Sequence, residues 1–144
     1  MQLSRYLDIV SVGFSTAQAA VEFDTASVGG CEGVMFLGVI ASTAARIPSL
    51  ALKMGASTTS FVNCASTFTH ASTAAGVTVI ATDVYKPAKR WVGATLTTTT
   101  ATPSYCIAMA YGLRKSVGNF TASGTNMPTA TGGILRAISP SSAT

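Results

Sequence analysis

The stretch Val34-Met35-Phe36-Leu37-Gly38-Val39-Ile40 is apolar at odd and even positions alike. A β-strand sends successive side chains to opposite faces, so a run without a polar parity is the mark of a strand covered on both sides. Gly29-Gly30 and Gly33 bracket a turn just before it. The stretch is therefore predicted to be a central strand, and the chain around it a sheet protein.

Working outward, Ser49 to Ala56 alternates cleanly. Leu50, Leu52 and Met54 share one face, and Ser49, Ala51, Lys53 and Gly55 the other, which predicts one buried and one open side. Phe61 to Thr69 follows, with Phe61, Val62 and Phe68 as expected core contributors, and Val77 to Tyr85 is β-branched enough for another strand. In Arg90 to Thr97, Val92, Ala94 and Leu96 form a core face, which puts Trp91, Gly93, Thr95 and Thr97 outward. Tyr105 to Lys115 offers a large apolar face of Ile107, Met109, Tyr111 and Leu113. Its other face, Cys106, Ala108, Ala110 and Gly112, is small and flat and invites close packing by another surface.

The two ends are less patterned. Leu3 to Phe14 is β-prone without clean alternation and is expected to be an edge strand or an arm reaching a neighbour. Arg5, the apolar residues from Leu7 and Ala17-Gln18-Ala19 imitate a secretory signal, but Asp8 and Ser11 interrupt the apolar part. The Ala-rich Ser15 to Val21 suggests a helical turn or two capped by Ser15 or Thr16. Beyond Val117 the composition turns to Gly, Ser, Thr, Asn and Pro, with a short apolar island, Ile134-Leu135-Arg136-Ala137-Ile138, placed to dock on a partner. The expected organisation is an N-terminal arm or edge strand over 1–24, a β-sandwich domain over 25–117 and an extended C-terminal tail over 118–144. The fold class is all-β.

Composition narrows the function. Of 144 residues only 10% are charged, against a usual figure of about 25%, while 48% are hydrophobic. Ser, Thr, Ala and Gly must then cover most of the surface. Such a surface is easily desolvated and poorly protected against association, so an assembled state is expected. The net charge of +4 is small for a dedicated nucleic-acid binder. No run approaches the roughly 18 apolar residues of a membrane span.

Catalytic and metal chemistry find no footing in the sequence. His70 is the only histidine, and neither a Gly-x-Ser-x-Gly context nor a defined partner for Cys64 accompanies it. Cys31, Cys64 and Cys106 are far apart, with no C-x-x-C, and are expected to be reduced core thiols. Gly29, Gly30 and Gly33 lack the spacing and the Lys-Ser/Thr of a phosphate loop, and the five carboxylates fit no calcium loop. Neither an enzyme nor a cofactor is expected.

One cluster remains. Asp83-Val84-Tyr85-Lys86-Pro87-Ala88-Lys89-Arg90-Trp91-Val92 holds the only Trp, three cations and a turn signal at Lys86-Pro87-Ala88-Lys89, where the fixed φ of Pro87 suits a type I turn. Three functions compete for it. Tyr85, Lys86, Lys89, Arg90 and Trp91 could track a phosphate backbone and stack bases, they could keep a β edge from pairing, or they could anchor a protein interface, where Arg and Trp are favoured residue types.

The run from Asp83 to Val92, followed by Ala110-Tyr111-Gly112-Leu113-Arg114-Lys115, resembles small capsid decoration, or cement, proteins of tailed bacteriophages. Val77 to Lys115 carries the likeness. It implies a jelly-roll-like antiparallel β-sandwich with extended N- and C-terminal arms, sitting as a dimer or trimer on the outer capsid surface of the virion. There it would bridge neighbouring major capsid protein subunits. Under that resemblance Tyr85, Lys86, Lys89, Arg90, Trp91, Arg114, Lys115, Ile134, Leu135 and Ile138 are the partner-binding residues, with Trp91 the anchor. The alternatives are a single-stranded nucleic-acid binding module using the same basic and aromatic residues, and a tail or fibre subunit.

Overall fold

A computed structural model describes residues 7–16, 18–70, 74–99, 102–114, 119–124 and 132–133. In chain order these form β1 (Leu7–Ser15), β2 (Gln18–Asp24), a short 3-10 helix (Thr25–Val28), β3 (Gly33–Ser42), β4 (Pro48–Gly55), β5 (Val62–Thr69), β6 (Gly76–Tyr85), β7 (Trp91–Thr98), β8 (Ser104–Tyr111), β9 (Asn119–Gly124) and β10 (Gly132–Gly133). Two sheets result, in the orders β10-β9-β1-β8-β3-β6 and β2-β7-β4-β5. Their pairings are antiparallel except for the parallel pair β1 and β9.

The chain crosses from one sheet to the other at nearly every connection, so β1 to β8 divide as 1-8-3-6 and 2-7-4-5. That winding is a jelly roll, a two-sheet solution to covering antiparallel strands. Between the sheets lie Phe36, Val34 and Ile40 of β3, Leu50 and Leu52 of β4, Val92, Ala94 and Leu96 of β7, and Val21 and Phe23 of β2, all buried. The face expected to point inward in β7 does so. Among the described residues no helix is long and apolar enough to cross a membrane.

β8 turns its small face, Cys106, Ala108 and Ala110, into the core, each 0% exposed. Small side chains let β2 and β7 of the opposite sheet pack directly over it. Burial pushes the Cys106 thiol up to about 12 and raises that of Cys31. All three cysteines are free, Cys31 and Cys64 being half-buried against the core.

Gly13 of β1 marks a close approach of the two sheets, since a Cβ there would collide with the backbone carbonyl of Ala20 in β2. Gly93 of β7 has a different use. Lys53 of β4 passes over it to reach Glu22 of β2 at 2.7 Å, and a Cβ on Gly93 would stand 2.8 Å from Lys53 Cε. The ion pair thus straddles a strand that has no side chain in its way.

The structure corrects several expectations. The described residues of the expected N-terminal arm or edge strand are not an arm, and only β2 lies at a sheet edge: β1 is an interior strand between β9 and β8, and β2 pairs with β7 in the other sheet. A bulge between Ile9 and Ser11 breaks the alternation that the sequence failed to show. The described part of Ser15 to Val21 is not helical either. It leads into β2, where Ala19, Val21 and Phe23 are buried and Gln18, Ala20 and Glu22 exposed, a period of two that outweighs the helix preference of alanine once a core is available. Part of the expected tail, 119–124 and 132–133, extends the six-stranded sheet.

Phe61, Val62 and Phe68 do not fill the core. β5 is the outermost strand of its sheet, and β4, not β5, lies over β6, so Val62 is 71% and Phe68 46% exposed. Phe61 is half-buried beneath Lys53, whose Nζ sits 4.5 Å from the ring centroid.

The two outer faces differ. On the four-stranded sheet the outward rows Gln18-Thr97-Ser49-Thr69, Ala20-Thr95-Ala51-Thr67 and Glu22-Gly93-Lys53-Asn63 are polar or small, and the end row Asp24-Trp91-Gly55 adds the half-buried Trp91. On the six-stranded sheet they read Phe14-Tyr105-Val39-Val79, Val12-Ile107-Leu37-Ala81 and Ile9-Met109-Met35-Asp83. β3 is buried on its inner face, whereas Met35, Leu37 and Val39 on its outer face are half-buried.

Candidate functional site

All described residues of the basic and aromatic cluster lie at one end of the sandwich. β6 ends there at Tyr85 beside Gly33, β7 begins at Trp91 beside Asp24, and β8 ends at Tyr111. The corner from Lys86 to Arg90 therefore carries the chain from the six-stranded to the four-stranded sheet. It is a run of bends rather than a hydrogen-bonded type I turn. Lys86 takes a left-handed φ of 49°, unusual for a residue with a side chain. Its N–H donates to the Glu32 carbonyl at 2.7 Å, which pins it.

Arg90 is engaged within the chain. Its guanidinium donates through Nε to Asp24 Oδ1 at 2.9 Å and through Nη2 to Asp24 Oδ2 at 2.6 Å, a two-point fork on one carboxylate. Its carbonyl accepts from the Thr25 N–H at 3.0 Å and the Thr25 hydroxyl at 2.8 Å. Asp24 also accepts from the Ala26 N–H at the start of the 3-10 helix. The bond from Arg90 is the main reason the Asp24 carboxyl lies below its usual range, and partial burial works against it. Arg90 thus fastens the corner to β2, a role that a separation of 66 residues hides from sequence reading.

The remaining cations are spread around this end. Lys86 Nζ lies 5.2 Å from the centroid of the Tyr85 ring, itself 62% exposed. Lys89 is exposed and, with Ala88, borders a shallow groove of about 430 Å³ against Met54, Gly55 and Val62. Arg114 is exposed where its N–H meets the Gly30 carbonyl at 3.4 Å. Lys115, Ile134, Leu135 and Ile138 lie outside the described residues.

Carboxylates are interleaved with them. Asp24, Glu32 and Asp83 stand at the same end as Lys86, Lys89, Arg90 and Arg114, so the field there is mixed rather than a basic stripe. The aromatics also separate. Tyr85 belongs to the outer face of the six-stranded sheet and half-buried Trp91 to that of the four-stranded sheet. Packed sheets lie about 10 Å apart, so the two rings form no common platform for stacked bases. This end therefore carries charged patches of both signs.

Tyr111 ties this end together. Its hydroxyl donates to Asp83 Oδ2 at 2.8 Å. Burial foremost, then the bond to Asp83 and the charges of Asp83, Tyr85 and Glu32, push its pKa from 10.0 up to about 12. The folded chain therefore holds this proton more tightly than the unfolded chain. The resulting stability is fully present below pH 10 and is lost as pH rises through about 12. Equilibrium unfolding followed across that window should show the wild type losing stability more steeply than Tyr111→Phe; parallel profiles would remove Tyr111 from this role.

Among the described residues no group of three or more His, Cys, Asp or Glu is placed to hold a metal ion. His70 is exposed, its ring 6.5 Å from that of Phe68. What sequence reading missed is the apolar outer face of the six-stranded sheet, although two signals pointed to it. One was the two-sided apolar run Val34 to Ile40, and the other was the large face of Ile107, Met109 and Tyr111. No protein-family model matches the chain, and no curated protein matches it.

Proposed function

We propose that the chain is a structural virion protein that decorates the outside of a tailed-phage capsid and bridges neighbouring major capsid protein subunits. The observation that carries the reading is the contrast between the outer faces. One is dressed in Gln, Thr, Ser, Glu and Lys for water, the other in Val, Ile, Leu, Met and aromatics for burial. A chain with 10% charged residues and such a face works through contacts with protein surfaces. The resemblance of Asp83–Val92 and Ala110–Lys115 to capsid decoration proteins supports the particular setting. The jelly roll agrees with it, although that fold also serves lectins and cupins and so does not choose among them.

The mechanism is mechanical. Copies repeated over a closed lattice act at high effective concentration, so many modest contacts hold where one would not. Lys86, Lys89 and Arg114 at the charged end reach acidic patches of the shell, and the half-buried Trp91 supplies an aromatic anchor. Arg90, bound to Asp24, preserves the shape of that end instead of reaching out.

Co-sedimentation of the purified chain with capsid shells tests this reading. The wild type should travel with the shells, and Trp91→Ala should lose occupancy about tenfold or more while keeping a cooperative melt. A wild-type chain left at the top of the gradient would defeat the proposal. An unfolded Trp91→Ala would make Trp91 a folding residue, and Lys89→Glu, on an exposed side chain, would then report on the charged end.

A further inference from the structure

We infer that the outer face of the six-stranded sheet is a self-association surface, covered in solution by the same face of a second copy of this chain. The inference concerns that face alone and holds whether or not the chain sits on a capsid.

The sequence demands two covers for β3, and among the described residues only the inner one is complete. Phe36 and Val34 on the inner face are 0% exposed, whereas Val79, next to Val39 on the outer face, is 57% exposed and Val77 72%. Tyr105, in contact with Phe14 at a ring separation of 4.7 Å, is 44% exposed. Leaving such side chains in water forfeits roughly 25 cal/mol for every Å² of apolar surface that a partner would cover.

Area and charge select the partner. Four strands at about 4.8 Å spacing and eight residues at about 3.4 Å rise make a face of about 500 Å², or about 1,000 Å² over two copies, the size at which a specific interface begins. Among the described residues of β1, β8, β3 and β6, the only charged side chain on this outer face is Asp83, on the edge strand β6 and already hydrogen-bonded by Tyr111, while Asp8 of β1 is buried. A partner carrying charges would find nothing to pair with there. A second copy meets apolar rows with apolar rows and brings no uncompensated cation. Twisted sheets already pack face to face inside this molecule, and the same aligned packing, at about 30° between strand directions, is open to the second pair. Repetition of one patch on both partners closes the assembly as a two-fold dimer.

The test is sedimentation equilibrium on the full chain over a range of concentrations. Wild type should be dimeric, and Val39→Lys, at the centre of the face, should raise the dissociation constant about 100-fold or more. Val79→Lys should do the same, and because Val79 is 57% exposed in the single chain, it leaves folding intact. Thr95→Lys, on the outer face of the four-stranded sheet, should stay dimeric. A wild type that remains monomeric throughout overturns the inference, the cover then being the chain's own terminal residues or a different protein. So does a dimer that Thr95→Lys disrupts and Val79→Lys does not.

Discussion

Phe36→Ala is expected to cost about 3–5 kcal/mol of stability, the usual price of truncating a buried phenylalanine. Phe36 is 0% exposed on the inner face of β3, and its neighbour across the ladder on β8 is Ala108, also 0% exposed. An alanine beside an alanine leaves a cavity that no adjacent long side chain on β8 can fill. Domains of this size are stable by about 5–15 kcal/mol in total, so the variant sits near the limit of folding. Urea unfolding should show a lower midpoint at unchanged slope. A loss below about 1 kcal/mol would mean that the sheets close over the gap and that the described core is wrong at its centre.

Gly13→Ala is the second large effect, and it acts through the backbone. The new Cβ would collide with the Ala20 carbonyl oxygen, which belongs to a strand of the opposite sheet. A side chain can rotate away from such a collision, whereas a backbone carbonyl moves only with its strand. Either β1 or β2 must shift, at about 3 kcal/mol, the upper part of the range for overpacking. Thermal unfolding of Gly13→Ala against wild type measures it, and an unchanged midpoint would show that β1 and β2 do not approach here as described.

Most of the strands were legible because their burial is one-sided. Leu50 and Leu52, like Val92, Ala94 and Leu96, alternate with small or polar residues and are buried where the alternation says. Gln18 to Phe23 had the same period, but its alanines also suit a helix, and only the core provided by β7 and β8 decides between them. β5 misled because an edge strand can carry Val62 and Phe68 without burying them. β8 left open which face turns inward, since both are apolar. The answer depends on how close β2 can come, a matter of tertiary packing.

The charged end was only half legible. The sequence placed Tyr85, Lys86, Lys89, Arg90 and Trp91 together, and the fold does bring them to one end. It could not say that Arg90 would be taken by Asp24, that Asp83 would be held by Tyr111, or that Tyr85 and Trp91 would face away from each other across two sheets. Each of these depends on strands distant in the chain becoming neighbours.

A density map of capsid particles incubated with the full chain tests most directly the proposal that the chain is a structural subunit holding to a shell through its surfaces. The expected result is a two-sheet sandwich standing on the outside of the shell at contacts between major capsid subunits, its charged end toward the shell and the outer face of its six-stranded sheet buried against another copy. Particles without that density, or with the apolar face open to solvent, would contradict it.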